Sequence, residues 1–173
     1  LSSIAWSFFL IFFSLTAAGN SEPTKPTYVP KDAKWVVDGW IQVYDSKLSW
    51  TKAKVECERL RGQLAVVSSS EKWREVRALI HGRKCWIGAT DSAKEGVWQW
   101  IDGTPWSYSA WASGEPGTRS ETEDFIFTVN GDWHDAPEGA PDAVAYACQW
   151  KSESLEGLVA AIDDKEVTAI IDH

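Results

Sequence analysis

Trp86, Trp98, Trp100, Trp106, Trp111 and Trp133 recur through one stretch of the chain and make up half of the twelve tryptophans in its 173 residues. A tryptophan buries on the order of 150–250 Å² from a single position, so rings at this spacing call for short strands and turns packed on one another. The segments between the rings are rich in Gly, Pro, Ser and acid, above all from Thr104 to Thr122. Loops of that composition on a rigid aromatic scaffold are where binding residues sit. Glu115, Glu123 and Asp135 lie in this region, and turns around the tryptophans can bring them toward one point. Converging carboxylates ask for a cation.

Elsewhere the pattern supplies a frame for these loops. Trp35 to Tyr44 alternates loosely and predicts one or two strands at the N-terminal edge of the domain. Ser49 caps a helix whose buried face is Trp50, Ala53, Cys57 and Leu60, and Gly62 ends it. After a strand over Gln63 to Val67, Ser68 with Glu71 three residues on predicts a capping box for a second helix running to Ile80. Its buried stripe is expected at Trp73, Val76, Leu79 and Ile80. Short strands follow at Trp86 to Ala89 and around Trp98 and Trp100. Phe125, Phe127 and Val129 share a strand face, and Asn130-Gly131 is a hairpin turn leading to a return strand at Trp133. A last strand covers Tyr146 to Trp150.

The ends differ from this frame. Residues 1–19 are uncharged and apolar through Phe13, then relax into Thr16-Ala17-Ala18-Gly19, the pattern of a secretory signal peptide with a membrane anchor as the alternative. Either reading puts the remainder in an extracellular, oxidising compartment: secreted in the first case, membrane-anchored in the second. Residues 20–34, with Pro23, Pro26 and Pro30, suit an extended linker. Residues 35–150 form one domain, long enough for a workable core. Residues 151–173 place Leu155, Leu158, Val159 and Ile162 on one helical face, either docked on the domain or used for self-association. Three cysteines, Cys57, Cys85 and Cys148, leave one thiol free or shared between molecules. A net charge of -8 argues against nucleic acid as a partner.

Three motifs then carry a resemblance. Trp86-Ile87-Gly88-Ala89 resembles the Trp-Ile-Gly-Leu core motif of the C-type lectin-like domain, Glu115-Pro116-Gly117 its Glu-Pro-Asn sugar loop, and Trp133-His134-Asp135 its Trp-Asn-Asp. The likeness runs from about Trp35 to Trp150. It implies an α+β fold, two helices packed on short, mostly antiparallel strands with a long irregular loop region. It also implies a disulfide between Cys57 and Cys148, leaving Cys85 a buried thiol beside Trp86. The family's second bridge is missing, with Phe125 in place of one partner and none near Glu138, which predicts looser site loops. Pro116 is expected to be cis.

By the same resemblance, Ca2+ would be held at the sugar site by Glu115, Glu123 and Asp135, while two family amides are replaced by Gly117 and His134. Each such amide gives its oxygen to the metal and its NH2 to a sugar hydroxyl. Gly117 offers no side chain, and imidazole is a poor calcium ligand because the ion favours hard oxygen. His134 still has an N–H to give a ligand. A second calcium position matches Asp91, Glu95, Glu123 and Asp124, with Thr118 where another acid is expected. The implied function is recognition of a glycan or glycoprotein through calcium at a weakened site, and Glu-Pro leans toward mannose- or glucose-type hydroxyl geometry. The alternative is a calcium-independent module for a protein or another surface. Catalysis is not expected: the acids are better used as metal ligands, and His81, His134 and His173 have neither zinc-like spacing nor a nucleophile partner.

Overall fold

The computed structural model describes residues 23–117, 122–140 and 143–152. The expected segment 1–19 and all but the first two residues of the expected segment 151–173 therefore lie outside the described residues. Helix α1, Trp50–Arg59, starts where the Ser49 hydroxyl accepts the Lys52 N–H at 3.4 Å, and it buries Trp50, Ala53 and Cys57. Gly62 follows the helix and donates to the Cys57 carbonyl. A Cβ at Gly62 would lie 2.8 Å from both the Gln149 carbonyl and the Trp150 ring, so close approach, not backbone freedom, demands glycine there.

Helix α2, Ser70–Ile80, is capped by Ser69, whose hydroxyl accepts the Lys72 N–H at 3.2 Å. The N-cap is thus Ser69 and not the expected Ser68, and with Lys72 three residues on the expected Ser68–Glu71 capping box is not formed. Ser68 instead gives its carbonyl to the Ser107 hydroxyl. The buried face is Lys72, Trp73, Val76 and Ile80, with Leu79 only partly covered. Lys72 is 2 % exposed, and its Nζ lies 2.7 Å from an Asp38 carboxylate oxygen. Burial lowers its pKa, and Asp38 pulls the other way.

The strands are β1 (Lys34–Val36), β2 (Gly39–Asp45), β3 (Gln63–Leu64), β4 (Cys85–Thr90), β5 (Gln99–Trp100), β6 (Phe125–Val129), β7 (Asp132–Ala136) and β8 (Ala145–Lys151). They form one sheet in the order β1-β2-β8-β4-β6-β7, with β3 paired to β8 and β5 to β4. All pairings are antiparallel except β4 with β8. Two expected strands are shorter than their apolar runs. Beyond Leu64, the Ala65 N–H goes to the Ala147 carbonyl and the Val66 N–H to the Gln149 side chain, so the run stays buried without a continued ladder. Trp98 is buried but flanks β5.

Two cores flank the sheet. One packs α2 with Ile87, Trp100, Ile126 and Trp133; the other packs α1 with Trp40, Trp86, Tyr146 and Trp150. Val29 and Ala33 are buried in the second, so the part of the proline-rich segment that is described lies against the domain. Cys57 is bonded to Cys148, 91 residues away, with Cα atoms 5.5 Å apart. Closing a loop of that length restricts the unfolded chain by an estimated ~4–5 kcal/mol. Cys85 is a free, fully buried thiol, and burial pushes its pKa up. Where the family's second bridge is missing, Trp50 packs on Phe125 with ring centroids 4.6 Å apart, and the Trp50 N–H donates to the Glu138 carbonyl. Among the described residues, no helix is long and apolar enough to cross a membrane.

Candidate functional site

The loop after β5 owes its shape to rings. Trp106 packs on Trp98, Trp100, Trp111 and Trp133 with centroids 4.9–6.5 Å apart, and Tyr108 meets Trp133 edge-on at 5.7 Å. This cluster lays the loop beside β7. There the Trp133 N–H donates to the Ala110 carbonyl at 2.8 Å and the Ala112 N–H to the Trp133 carbonyl at 2.9 Å. The Glu115 N–H then closes a turn onto the Ala112 carbonyl at 3.0 Å. Glu115 is thereby delivered to His134 and Asp135, the two residues that follow Trp133 on the strand.

His134 Nδ1 lies 2.9 Å from Glu115 Oε1. A carboxylate accepts, so Nδ1 is assigned as the donor in this bond, and in the tautomer with that one proton Nε2 is an acceptor. Partial burial raises the Glu115 pKa, the Asp135 carboxyl beside it raises it further, and His134 pulls it down. Two carboxyls this close favour a shared proton or cation over two free charges. Gly117 completes the face: a Cβ there would stand 3.6 Å from Glu115 Oε2 and 3.7 Å from both Asp135 oxygens, ordinary contact distances. Its φ is not positive, and the Glu115–Pro116 bond is cis as the resemblance implies.

Asp91 sits deeper, 3 % exposed. One carboxylate oxygen accepts the Gly96 N–H at 2.8 Å, while Oδ1 is buried with no partner among the described residues. Burial raises its pKa, the Gly96 bond opposes this, and the charges of Asp124 and Asp135 add to the rise. The Asp91 N–H donates to the Asp124 carbonyl at 3.2 Å, which joins this acid to the strand leading into β6. Glu123 is half-buried just before Asp124, Glu95 is exposed, and Thr118 lies outside the described residues.

Of the acids singled out in the sequence, the structure therefore brings Glu115 to Asp135, and Asp91 to Asp124. It does not gather them into one cage. Among the described residues, no three His, Cys, Asp or Glu side chains are placed to hold a metal. The Glu115–Asp135 pair suits a cation in charge, but calcium takes six to eight oxygens, and one Glu115 oxygen is already engaged by a nitrogen donor. On that donor set, the described residues do not fit the calcium cage that the motifs imply. The His134–Glu115 bond is what sequence reasoning missed. Its one signal was an imidazole standing where an amide is expected.

The profile of the family described as "Lectin C-type domain" matches residues 46–155. A hepatic lectin of Gallus gallus is 40% identical over 93 residues, 52% of this chain and 45% of that protein. The galactose-specific lectin nattectin of Thalassophryne nattereri is 35% identical over 81 residues, 44% of this chain and 51% of that one. This chain thus spans about half the length of these two relatives. Among solved structures, the C-type carbohydrate-recognition domain of cow CD23, determined in the presence of a GlcNAc2Man3 oligosaccharide, has a TM-score of 0.67 and 26% identity over 72% of this chain and 96% of that one. A herring type II antifreeze protein has a TM-score of 0.65 and 26% identity, covering 72% and 99%.

Proposed function

Because this chain belongs to the C-type lectin domain family, we propose that it binds carbohydrate, on a free glycan or a glycoprotein, through the face formed by Glu115, His134 and Asp135. The observation that carries this reading is the meeting of a loop acid with a strand histidine and acid beside Gly117, which leaves the face open. Sugar hydroxyls both donate and accept. The carboxylates of Glu115 and Asp135 accept from them, and His134 Nε2 adds a third partner. Glu123 is proposed as a further contact on the approach. The names of the hepatic lectin and nattectin, and the oligosaccharide in the cow CD23 title, support a saccharide over other ligands.

Calcium affinity is proposed to fall below that of a domain with both amides, for the ligand-number reason above. Asp91, Glu95, Glu123 and Asp124 are proposed as the acids of a second, partial cation position. Members of the family are generally binding proteins, and the chain is read as a binding module, not an enzyme. An extracellular location is supported by the Cys57–Cys148 bridge, since disulfides persist in oxidising compartments. We propose residues 35–150 as the domain, with 1–19 a signal peptide or anchor. The engagement of Glu115 by His134 also favours the second reading, a calcium-independent module for a protein or another surface.

A glycan array of the wild type and of Gly117→Asn/His134→Asn, each with calcium and with chelator, separates the two readings. A Cβ at position 117 meets only ordinary contacts, and Asn at 134 removes the imidazole that engages Glu115. The double variant is expected to bind neutral glycans about tenfold or more tightly in calcium, with the gain abolished by chelator. A variant that shows no such gain supports the second reading.

A further inference from the structure

An open cleft of about 540 Å³, lined by none of Glu115, His134 and Asp135, lies between α2 and the β6–β7 turn. Arg74, Arg77 and His81 line it from the helix, Asn130 and Gly131 from the turn, and the buried Trp73 forms its floor. In a chain whose net charge is -8, this is a locally cationic hollow. Exposed arginines on a helix are ordinarily solvated and paired with nearby acids. Here the pairing is poor. Among the described residues Arg74 reaches only Glu75, at 3.7 Å with its side chain 73% exposed, a contact that adds little.

Arg77 is exposed and has no ion pair among the described residues, and its guanidinium lies over the β6–β7 turn. A Cβ on Gly131 would lie 2.1 Å from Arg77 Nε and 2.6 Å from Cζ, so the guanidinium rests directly on the glycine. Gly131 has φ +95, which itself favours glycine, and Asn130 before it has φ +52. Burial raises the pKa of Tyr108, and the Arg77 charge, felt at that ring, opposes the rise. An exposed arginine that lies over a glycine and has no acid partner among the described residues presents its fork to whatever enters the cleft.

The C-terminal end of a helix ordinarily repels anions. At α2 that end is covered. Arg83 donates from Nε to the Ile80 carbonyl at 2.7 Å and from Nη2 to the Leu79 carbonyl at 2.8 Å, while the His81 N–H takes the Arg77 carbonyl. His81, in the left-handed conformation at the cap, lines the cleft beside the arginines. The acids nearest in sequence are Glu71 and Glu75 on the helix and Asp132 after the turn, and none of them lines the cleft.

We propose that this cleft binds an oxyanion, a sulfate or a carboxylate, carried on an acidic glycan, with Arg77 as the bidentate donor and Arg74 and His81 beside it. The saccharide part of this ligand rests on the lectin reading; the oxyanion part does not. The site is separate from the Glu115 face and draws on no metal.

The full chain is titrated by calorimetry, in chelator and at low and high salt, with a heparin-derived tetrasaccharide, its desulfated form, a neutral tetrasaccharide and inorganic sulfate as competitor. The sulfated probe is expected to bind, to weaken as salt rises and to be displaced by sulfate. Arg77→Ala is expected to weaken it about tenfold or more, Arg77→Lys less because the fork is lost and the charge kept, and the exposed Arg74→Ala about threefold. Desulfated probe binding as tightly as the sulfated form identifies the carboxylate as the group held. Neutral probe binding equally well, or Arg77→Ala and Arg74→Ala both matching the wild type, overturns the proposal. So does Glu115→Gln costing as much as Arg77→Ala, which would put the acidic sugar on the loop face. Failure of the lectin reading leaves a different signature: inorganic sulfate still binds in an Arg77-dependent way, while no saccharide improves on it.

Discussion

The two halves of the molecule use the same residue type in opposite ways. On the disulfide side, Trp50, Trp86 and Trp150 each donate the indole N–H to a carbonyl, those of Ile87, Leu48 and Leu60, at 2.8, 3.0 and 2.9 Å. On the loop side, the indole nitrogens of Trp98, Trp100 and Trp133 are buried without a partner among the described residues. An unpaired buried donor costs about 1–3 kcal/mol, while a favourable ring pair returns about 0.5–1.5 kcal/mol beyond its area. The loop side therefore spends hydrogen bonding to obtain a ring cluster that holds an irregular segment in place. The disulfide side is the frame, pinned covalently and by directed bonds. The contrast teaches that the candidate site is built on the half with less directional restraint, where local opening is easiest.

Removing the frame's covalent pin tests the contrast most severely. Cys57→Ala/Cys148→Ala is expected to lower unfolding free energy by about 4 kcal/mol, read from the denaturant midpoint at constant slope. A loss confined to a fraction of that would mean the frame does not depend on its bridge.

Asp102 offers the next largest effect, because it ties the start of the loop to the frame. Its carboxylate lies 2.6 Å from Lys151 Nζ, accepts the Thr104 N–H at 2.9 Å, and its side chain is 7% exposed. Burial opposes its charge, but the Lys151 and Thr104 bonds win and hold the pKa at about 2. A depressed carboxyl contributes stability that is present above its unfolded pKa of about 4 and is lost as pH falls toward 2, since the unfolded chain then binds more protons. Two units correspond to about 2–3 kcal/mol. Urea midpoints followed down this range should show the loss in the wild type and a flatter limb in Asp102→Asn; parallel limbs would discard the tie.

The smallest effect goes to the centre of the comparison. Trp150→Phe and Trp133→Phe remove similar area from two fully buried positions. Only the first strands an acceptor, the Leu60 carbonyl. Trp150→Phe is expected to cost about 1–2 kcal/mol more than Trp133→Phe in the same denaturant measurement. Equal costs would show that the unpaired nitrogens on the loop side are matched in ways the contrast does not describe.

The sequence by itself determined the frame, and the reasons are local. Apolar spacing placed both helices, Asn130-Gly131 set the β6–β7 hairpin, and the motifs around Trp86, Glu115 and Trp133 identified the family and the Cys57–Cys148 pairing. Propensity and pattern act within a few residues, so such features can be read along the chain. The α2 cap slipped from Ser68 to Ser69 because adjacent serines are equally able to cap, and only the placed backbone chooses between them. Tertiary structure alone decided which acids meet. It set Glu115 against His134 and Asp135, left Asp91 with a buried oxygen that has no partner among the described residues, and laid Arg77 on Gly131, because these arrangements join elements far apart in sequence. Burial of Lys72 against Asp38 belongs with these, since a lysine on a helix reads as solvated until the sheet that covers it is in place.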